Sequence, residues 1–282
     1  MYTRILVAVD GSPFSEQVIP YARAIAEATG AKLTLLRIAE SGATAEAEEY
    51  LRALAAGSGA ETRVITGRVT ASVDILEEAN AVPGTLVVVT SHGRGGVLVA
   101  VLGSVAREIV QASHNPVLVY RPDDEAGERA SVRIATVLLP LDGTSRSESV
   151  TAQAAELARA LGATLTVVQV LPKIDKMDRR LASYDVLDSS YVSSHAHDIE
   201  RQYGVAVNWE VLHGDPVDAL ESYIDGRDDV LAVMATRQQN AVKAAVLGSV
   251  TSGMVHKAGI PIIVQSPAVV QGAPERLRAA RI

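Results

Sequence analysis

Two clusters of residues in this chain could do chemistry. The first is Thr90-Ser91-His92-Gly93-Arg94-Gly95-Gly96, followed by Val97 to Leu102 and then Gly103-Ser104. Glycine lets a backbone approach a ligand closely and reach positive φ. Gly103-Ser104 stands where a helix begins. The free amides at a helix start, with the positive end of its dipole, favour an anion such as phosphate. The second cluster is Asp10-Gly11-Ser12. A carboxylate there accepts hydrogen bonds from an amino group or a hydroxyl, or holds Mg²⁺ through water. Each cluster also has a plainer reading. Ser104 serves as an N-cap beneath a surface loop, and Asp10 is a turn or capping residue.

Both clusters need elements to hold them. Leu86-Val87-Val88-Val89 reads as a buried strand before the glycine-rich loop, and Ser104 to Val110 carries apolar residues at helical spacing. The whole arrangement is written twice. Leu6-Val7-Ala8-Val9-Asp10-Gly11-Ser12 matches Leu138-Leu139-Pro140-Leu141-Asp142-Gly143-Thr144 at an offset of 132. Ala26 to Thr34 matches Ala158 to Thr166 at the same offset. Val101-Leu102-Gly103-Ser104-Val105 matches Val246-Leu247-Gly248-Ser249-Val250 at 145, as Asn115 to Val119 matches Ile260 to Val264. The second copy has therefore gained 13 residues, placed by the sequence within Pro172 to His195.

Short apolar runs without alternation predict parallel strands covered on both faces. They fall at 4–9, 32–38, 61–66, 85–90 and 117–120, and again at 134–141, 164–170, 205–211, 230–235 and 261–264. Helices are expected at 14–29, 44–56, 70–81 and 104–113. The segment 172–196 is expected to start as a loop and end as the beginning of a helix. This alternation predicts an α/β chain of two tandem, five-stranded, parallel-sheet sandwich domains. Their expected bounds are 1–122 and 132–267, joined by a polar linker and followed by a tail, 268–282.

Composition narrows the function. The 282 residues are 48% hydrophobic, enough for a substantial core, and the net charge of −7 argues against nucleic-acid binding. Residues 1–131 carry 11 basic and 16 acidic groups, and 132–282 carry 15 and 17, so neither half presents a basic face. With no cysteine, neither disulfides nor thiol chemistry can operate. No signal segment and no apolar run near the ~18 residues of a membrane span is evident, so a cytoplasmic chain is expected.

Several enzyme classes lack their residues. There is no Gly-x-x-x-x-Gly-Lys-Ser/Thr run, and Gly93-Arg94-Gly95-Gly96 does not complete a dinucleotide fingerprint. Haloacid-dehalogenase phosphatases need an Asp where Ala8 and Pro140 stand. Gly143-Thr144-Ser145-Arg146-Ser147 lacks the last glycine of a nucleophile elbow, and Pro13 replaces Ser145 in the first copy. His92 gives way to Arg237 in the second copy, and His195 and His197 are two apart, the wrong spacing for a helical metal pair. Both are expected at the surface, with Trp209 in a core or interface.

The two loops together resemble those of the universal stress protein family, once per half. Nucleotide-binding members carry a glycine, two residues, a glycine, nine residues, then glycine and Ser/Thr. Here Thr90 takes the first glycine position, Gly93 the second, and Gly103-Ser104 the last pair. The resemblance implies a Rossmann-like fold of the adenine nucleotide alpha hydrolase type. It implies ATP, with Mg²⁺ as a possible companion, held by Asp10 and Ile38 at the adenine, Thr90 near the ribose, and Gly93, Gly103, Ser104 and Val105 at the phosphates. The matching second-half residues are Asp142, Val170, Gly248, Ser249 and Val250, but Ala235 and Gln238 replace both loop glycines. That half is expected to bind less well or not at all. The resemblance also implies an internal pseudo-dimer in which Pro116–Tyr120 meets Pro261–Gln265, with a homodimer and an unidentified protein partner as further expectations. Two functions stay open: a nucleotide-dependent regulator of stress responses, and a nucleotide-free dimeric scaffold. No catalytic base or activated nucleophile stands out, so any ATP hydrolysis is expected to be slow.

Overall fold

The computed structural model describes residues 1–91, 102–122, 131–173, 182–238, 245–246 and 248–266. The first half runs β1 (Arg4–Ala8), α1 (Pro13–Glu16), α2 (Ile19–Thr29), β2 (Lys32–Ala39), α3 (Thr44–Ala55), β3 (Glu61–Thr66), α4 (Ala71–Asn80), β4 (Thr85–Thr90), α5 (Ser104–Ala112) and β5 (Val117–Tyr120). The second runs β6 (Thr136–Leu141), α6 (Ser145–Glu148), α7 (Thr151–Leu161), β7 (Thr164–Leu171), α8 (Ala182–Tyr203), β8 (Val207–His213), α9 (Pro216–Ile224) and β9 (Val230–Ala235). It ends with β10 (Arg237–Gln238), β11 (Ala245–Val246), α10 (Ser249–Lys257) and β12 (Ile262–Gln265).

Ten strands form one sheet in the order β3-β2-β1-β4-β5-β12-β9-β6-β7-β8. Within each half the pairing is parallel, and successive side chains of β1 enter opposite faces: Ile5 and Val7 on one, Leu6 on the other. All three are fully buried, as a strand sandwiched between helix layers must be. The halves meet where β5 runs antiparallel to β12, with Val119 opposite Ile262, Leu118 opposite Ile263 and Val117 opposite Val264. The predicted meeting of the fifth strands is thus present within one chain. β10 and β11 form a separate antiparallel pair, which the sequence did not suggest.

The helix expected over 14–29 is broken into α1 and α2. Pro20 looks like the cause, yet α6 and α7 break at the same place with Ala152 in its position. The break therefore belongs to the repeated turn. Ser12 and Thr144 cap the two short helices through their side chains, accepting from Ser15 N and Ser147 N.

Strand register distributes the second half's extra length. Thr34 pairs with Glu61 and Thr166 with Asn208, so β8 lies 147 residues after β3. Arg4 pairs with Thr85 and Thr136 with Val230, which restores 145 at β9. Much of the gain is the 22-residue α8 against the 12-residue α3. Trp209 is not in the core. It is 40% exposed on β8, an outer strand with a neighbour on one side only. His197 is exposed as expected, but His195 is half-buried, stacked on Tyr191 at 5.8 Å. No described helix is long and apolar enough to cross a membrane.

Candidate functional site

The chain winds from β1 outward to β2 and β3, then returns to place β4 on the other side of β1. The carboxyl ends of β1 and β4 therefore flank a crevice. Val7 faces Val88 in parallel register, so the two strands end side by side. In the second half β6 and β9 stand in the same relation.

Asp10 leaves the end of β1. Its Oδ1 accepts from the Ser12 amide at 2.9 Å and the Ser12 hydroxyl at 2.6 Å, while its own amide donates to Ser15 Oγ at 3.2 Å. Gly11, at φ +83°, makes the turn. Asp142 repeats the pattern: Oδ1 accepts from the Thr144 amide at 3.0 Å and the Thr144 hydroxyl at 2.5 Å, and its amide donates to Ser147 Oγ. Burial alone would raise the Asp142 pKa. Hydrogen bonds from Ser147 and Thr144 outweigh it and hold the carboxyl below its ordinary value. The turn reading of this carboxylate is therefore true in both halves, with Ser12 and Thr144 as the helix caps, and in the first half the acid lines the crevice.

Across from Asp10, the Gly103 amide donates to Ser91 O at 2.7 Å and the Ser91 amide to Tyr120 O at 2.8 Å. These bonds bring the start of α5 back over the end of β4. No side chain caps α5 at Gly103. Its first-turn amides consequently offer donors where the helix dipole is positive.

The crevice between these loops has a volume of about 840 Å³. Asp10, Ile38, Thr90, Gly103, Ser104 and Val105 all line it. Gly93 and His92 lie outside the described residues. The crevice also takes in residues that the sequence reading passed over: Arg37, Glu46 and Tyr50. Arg37 sits with its guanidinium 5.3 Å from the Tyr50 ring centre. Its Nε and Nη1 are buried and have no hydrogen-bond partner. Tyr50 in turn donates to Glu16 at 2.8 Å, and burial with that carboxylate pushes the Tyr50 hydroxyl far above its ordinary pKa. Tyr191 donates to Glu148 at 2.6 Å in the same way. The signal that could have found Arg37 is a charged residue inside an apolar strand, matched at an offset of 132 by Gln169.

In the second half, Gly248 opens α10 without a side-chain cap. Ser249 is exposed, Val250 and Val170 are half-buried, and Asp142 is exposed where Asp10 is half-buried. The segment after β9 continues into β10, so Gln238, which stands in the place of Gly93, lies in a strand. A pocket of about 760 Å³ in this half lies elsewhere, between Lys173, His213 and Asp218.

A small anionic ligand fits what the first crevice offers. The volume suits a small ligand, the start of α5 supplies donors for an anion, and Arg37 places a cation in the lining. Among the described residues, no group of three His, Cys, Asp or Glu could hold a metal ion.

The universal stress protein family model matches residues 1–121 and again 134–265. A universal stress protein of Mycobacterium tuberculosis is 28% identical over 196 residues, which is 68% of this chain and 63% of the relative. The chain thus spans less than two thirds of that relative's length. Among solved structures, a universal stress protein from Archaeoglobus fulgidus aligns over 95% of this chain and 99% of its own, at a TM-score of 0.63 and 16% identity. A Pseudomonas aeruginosa protein of unknown function aligns over 96% and 95%, at 0.69 and 16%. The fold is shared with these structures, and with both halves matched by its model the chain belongs to the universal stress protein family.

Proposed function

We propose that this chain is a nucleotide-responsive regulator of the stress response, built from units at 1–122 and 132–267, that binds ATP in its first-half crevice. The observation that carries this reading is the convergence of Asp10, Ile38, Thr90 and the uncapped start of α5 on one crevice of about 840 Å³. ATP would lie with its base toward Asp10 and Ile38 and its phosphates at Gly103, Ser104 and Val105. Phosphate charge meets backbone donors whose dipoles are already aligned, so little reorganisation is needed on binding. Bound nucleotide would order the surrounding loops and alter a surface read by a partner protein. The second half, with Ala235 and Gln238 in place of glycines, would bind weakly or not at all.

Titration calorimetry of the intact chain with ATP and magnesium tests this. One site per chain is expected, abolished by Gly103→Val with an unchanged circular dichroism spectrum. Two equal sites per chain would overturn the asymmetry. Absence of binding would favour the nucleotide-free scaffold.

A further inference from the structure

A polar side chain interrupts the same apolar strand in both halves. β2 reads Lys-Leu-Thr-Leu-Leu-Arg-Ile-Ala and β7 reads Thr-Leu-Thr-Val-Val-Gln-Val-Leu. Arg37 faces Val64 of β3, and Gln169 faces Val211 of β8, so the two occupy one place in the repeat. Gln169 is buried at 8% exposure. Arg37 Nε and Nη1 are sealed from water and matched by no acceptor of the protein. Arg37 as a whole is half-buried and lines the crevice, and a cation with two enclosed, unmade hydrogen bonds is costly where an apolar side chain of similar length would be cheaper to fold. The cost is explained if the guanidinium turns toward a ligand in the crevice that supplies the acceptor.

Position says which part of a ligand. Arg37 is on β2, separated by β1 from β4 and from the helix that follows it. Its guanidinium lies directly under the loop that carries Asp10: a Cβ on Gly11 would come 2.4 Å from Nη1. The Tyr50 ring lies on the same guanidinium. We propose that Arg37 is a further ligand contact of the first-half crevice. It donates to an acceptor on the nucleoside end of the bound nucleotide, a ring nitrogen or a sugar oxygen, away from the phosphates. The proposal rests on the nucleotide reading above. It also separates the halves chemically, because Gln169 is neutral and leaves the second half without this cation.

Arg37→Met keeps the length of the side chain and removes the charge. Calorimetry with ATP and with adenosine is compared between the intact wild type and this variant, together with thermal melts of both proteins without ligand. Affinity for both ligands is expected to fall by the same factor, about tenfold, as for loss of a charged hydrogen bond. The ligand-free midpoint is expected to rise by about 2 °C or more. A loss seen with ATP but not adenosine would assign Arg37 to the phosphates and overturn the proposal. Unchanged affinity with a lowered midpoint would make Arg37 a structural residue and overturn it too. A wild type that takes up neither ligand would sink the nucleotide reading itself. With wild-type binding intact, the variant alone decides the role of Arg37.

Discussion

Asp10 and Ser12 are joined twice through one oxygen: Oδ1 accepts from the Ser12 amide at 2.9 Å and from its hydroxyl at 2.6 Å. The turn after β1 thus depends on an acceptor, whereas ligand binding would depend on a charge. Asp10→Asn keeps the acceptor and should cost clearly less than loss of the whole side chain. Asp10→Ala should cost about 1 kcal/mol in urea unfolding. Both should weaken ATP binding. Equal destabilisation by the two variants would show that the charge, and not the acceptor, holds the turn.

Asp142 reports on the same turn through pH. Its carboxyl is held below the ordinary 3.8 in the folded chain. A depressed folded pKa gives stability that is present above the unfolded value and is lost as pH falls through the folded one. Asp142→Asn should therefore be less stable than wild type at pH 6, and the gap should close below about pH 4. Urea midpoints taken from pH 6 down to pH 2.5 would check this; a gap that widened on acidification has the wrong sign.

Gly11 and Gly143 form a controlled pair. Both have positive φ, +83° and +75°, so alanine at either should cost about 1–2 kcal/mol. Only at Gly11 does the new Cβ meet a neighbour, Arg37; at Gly143 nothing lies within 4 Å. Gly11→Ala should therefore displace Arg37 and weaken nucleotide binding, while Gly143→Ala leaves binding alone. Equal binding by the two variants would contradict this placement of Arg37.

At the seam, Leu118 and Ile263 are opposite each other and fully buried. Leu118→Ala should cost about 2–5 kcal/mol. Combined with Ile263→Ala, it should show a coupling of about 0.5–3 kcal/mol in a double-mutant cycle. Strict additivity of the two losses in denaturant unfolding would mean that the strands are not packed together in solution.

Much of the fold is legible in the sequence because parallel strands buried on both faces leave uninterrupted apolar runs, and duplication lets each run check its copy. Glu61–Thr66, Thr85–Thr90, Val117–Tyr120 and Val230–Ala235 fall where the runs predict. What escapes has a physical cause. The break between α1 and α2 has no breaker residue common to both halves. Trp209 reads as core because hydrophobicity says nothing about which strand will be outermost. α8 is the least repeated stretch, so no copy constrains its length. At the site, Asp10 and Gly103-Ser104 stand out because small and acidic residues end apolar runs. Arg37 hides inside one, where charge is easily taken for an exposed strand end.

The seam between β5 and β12 has an evolutionary consequence. When two separate identical chains pair, every substitution is inherited on both sides of the axis. Here the axis passes through a single polypeptide, so a change at one crevice leaves its counterpart untouched. Arg37 against Gln169, and Gly93 against Gln238, show that freedom in use. One half can keep a ligand while the other drifts toward a different task.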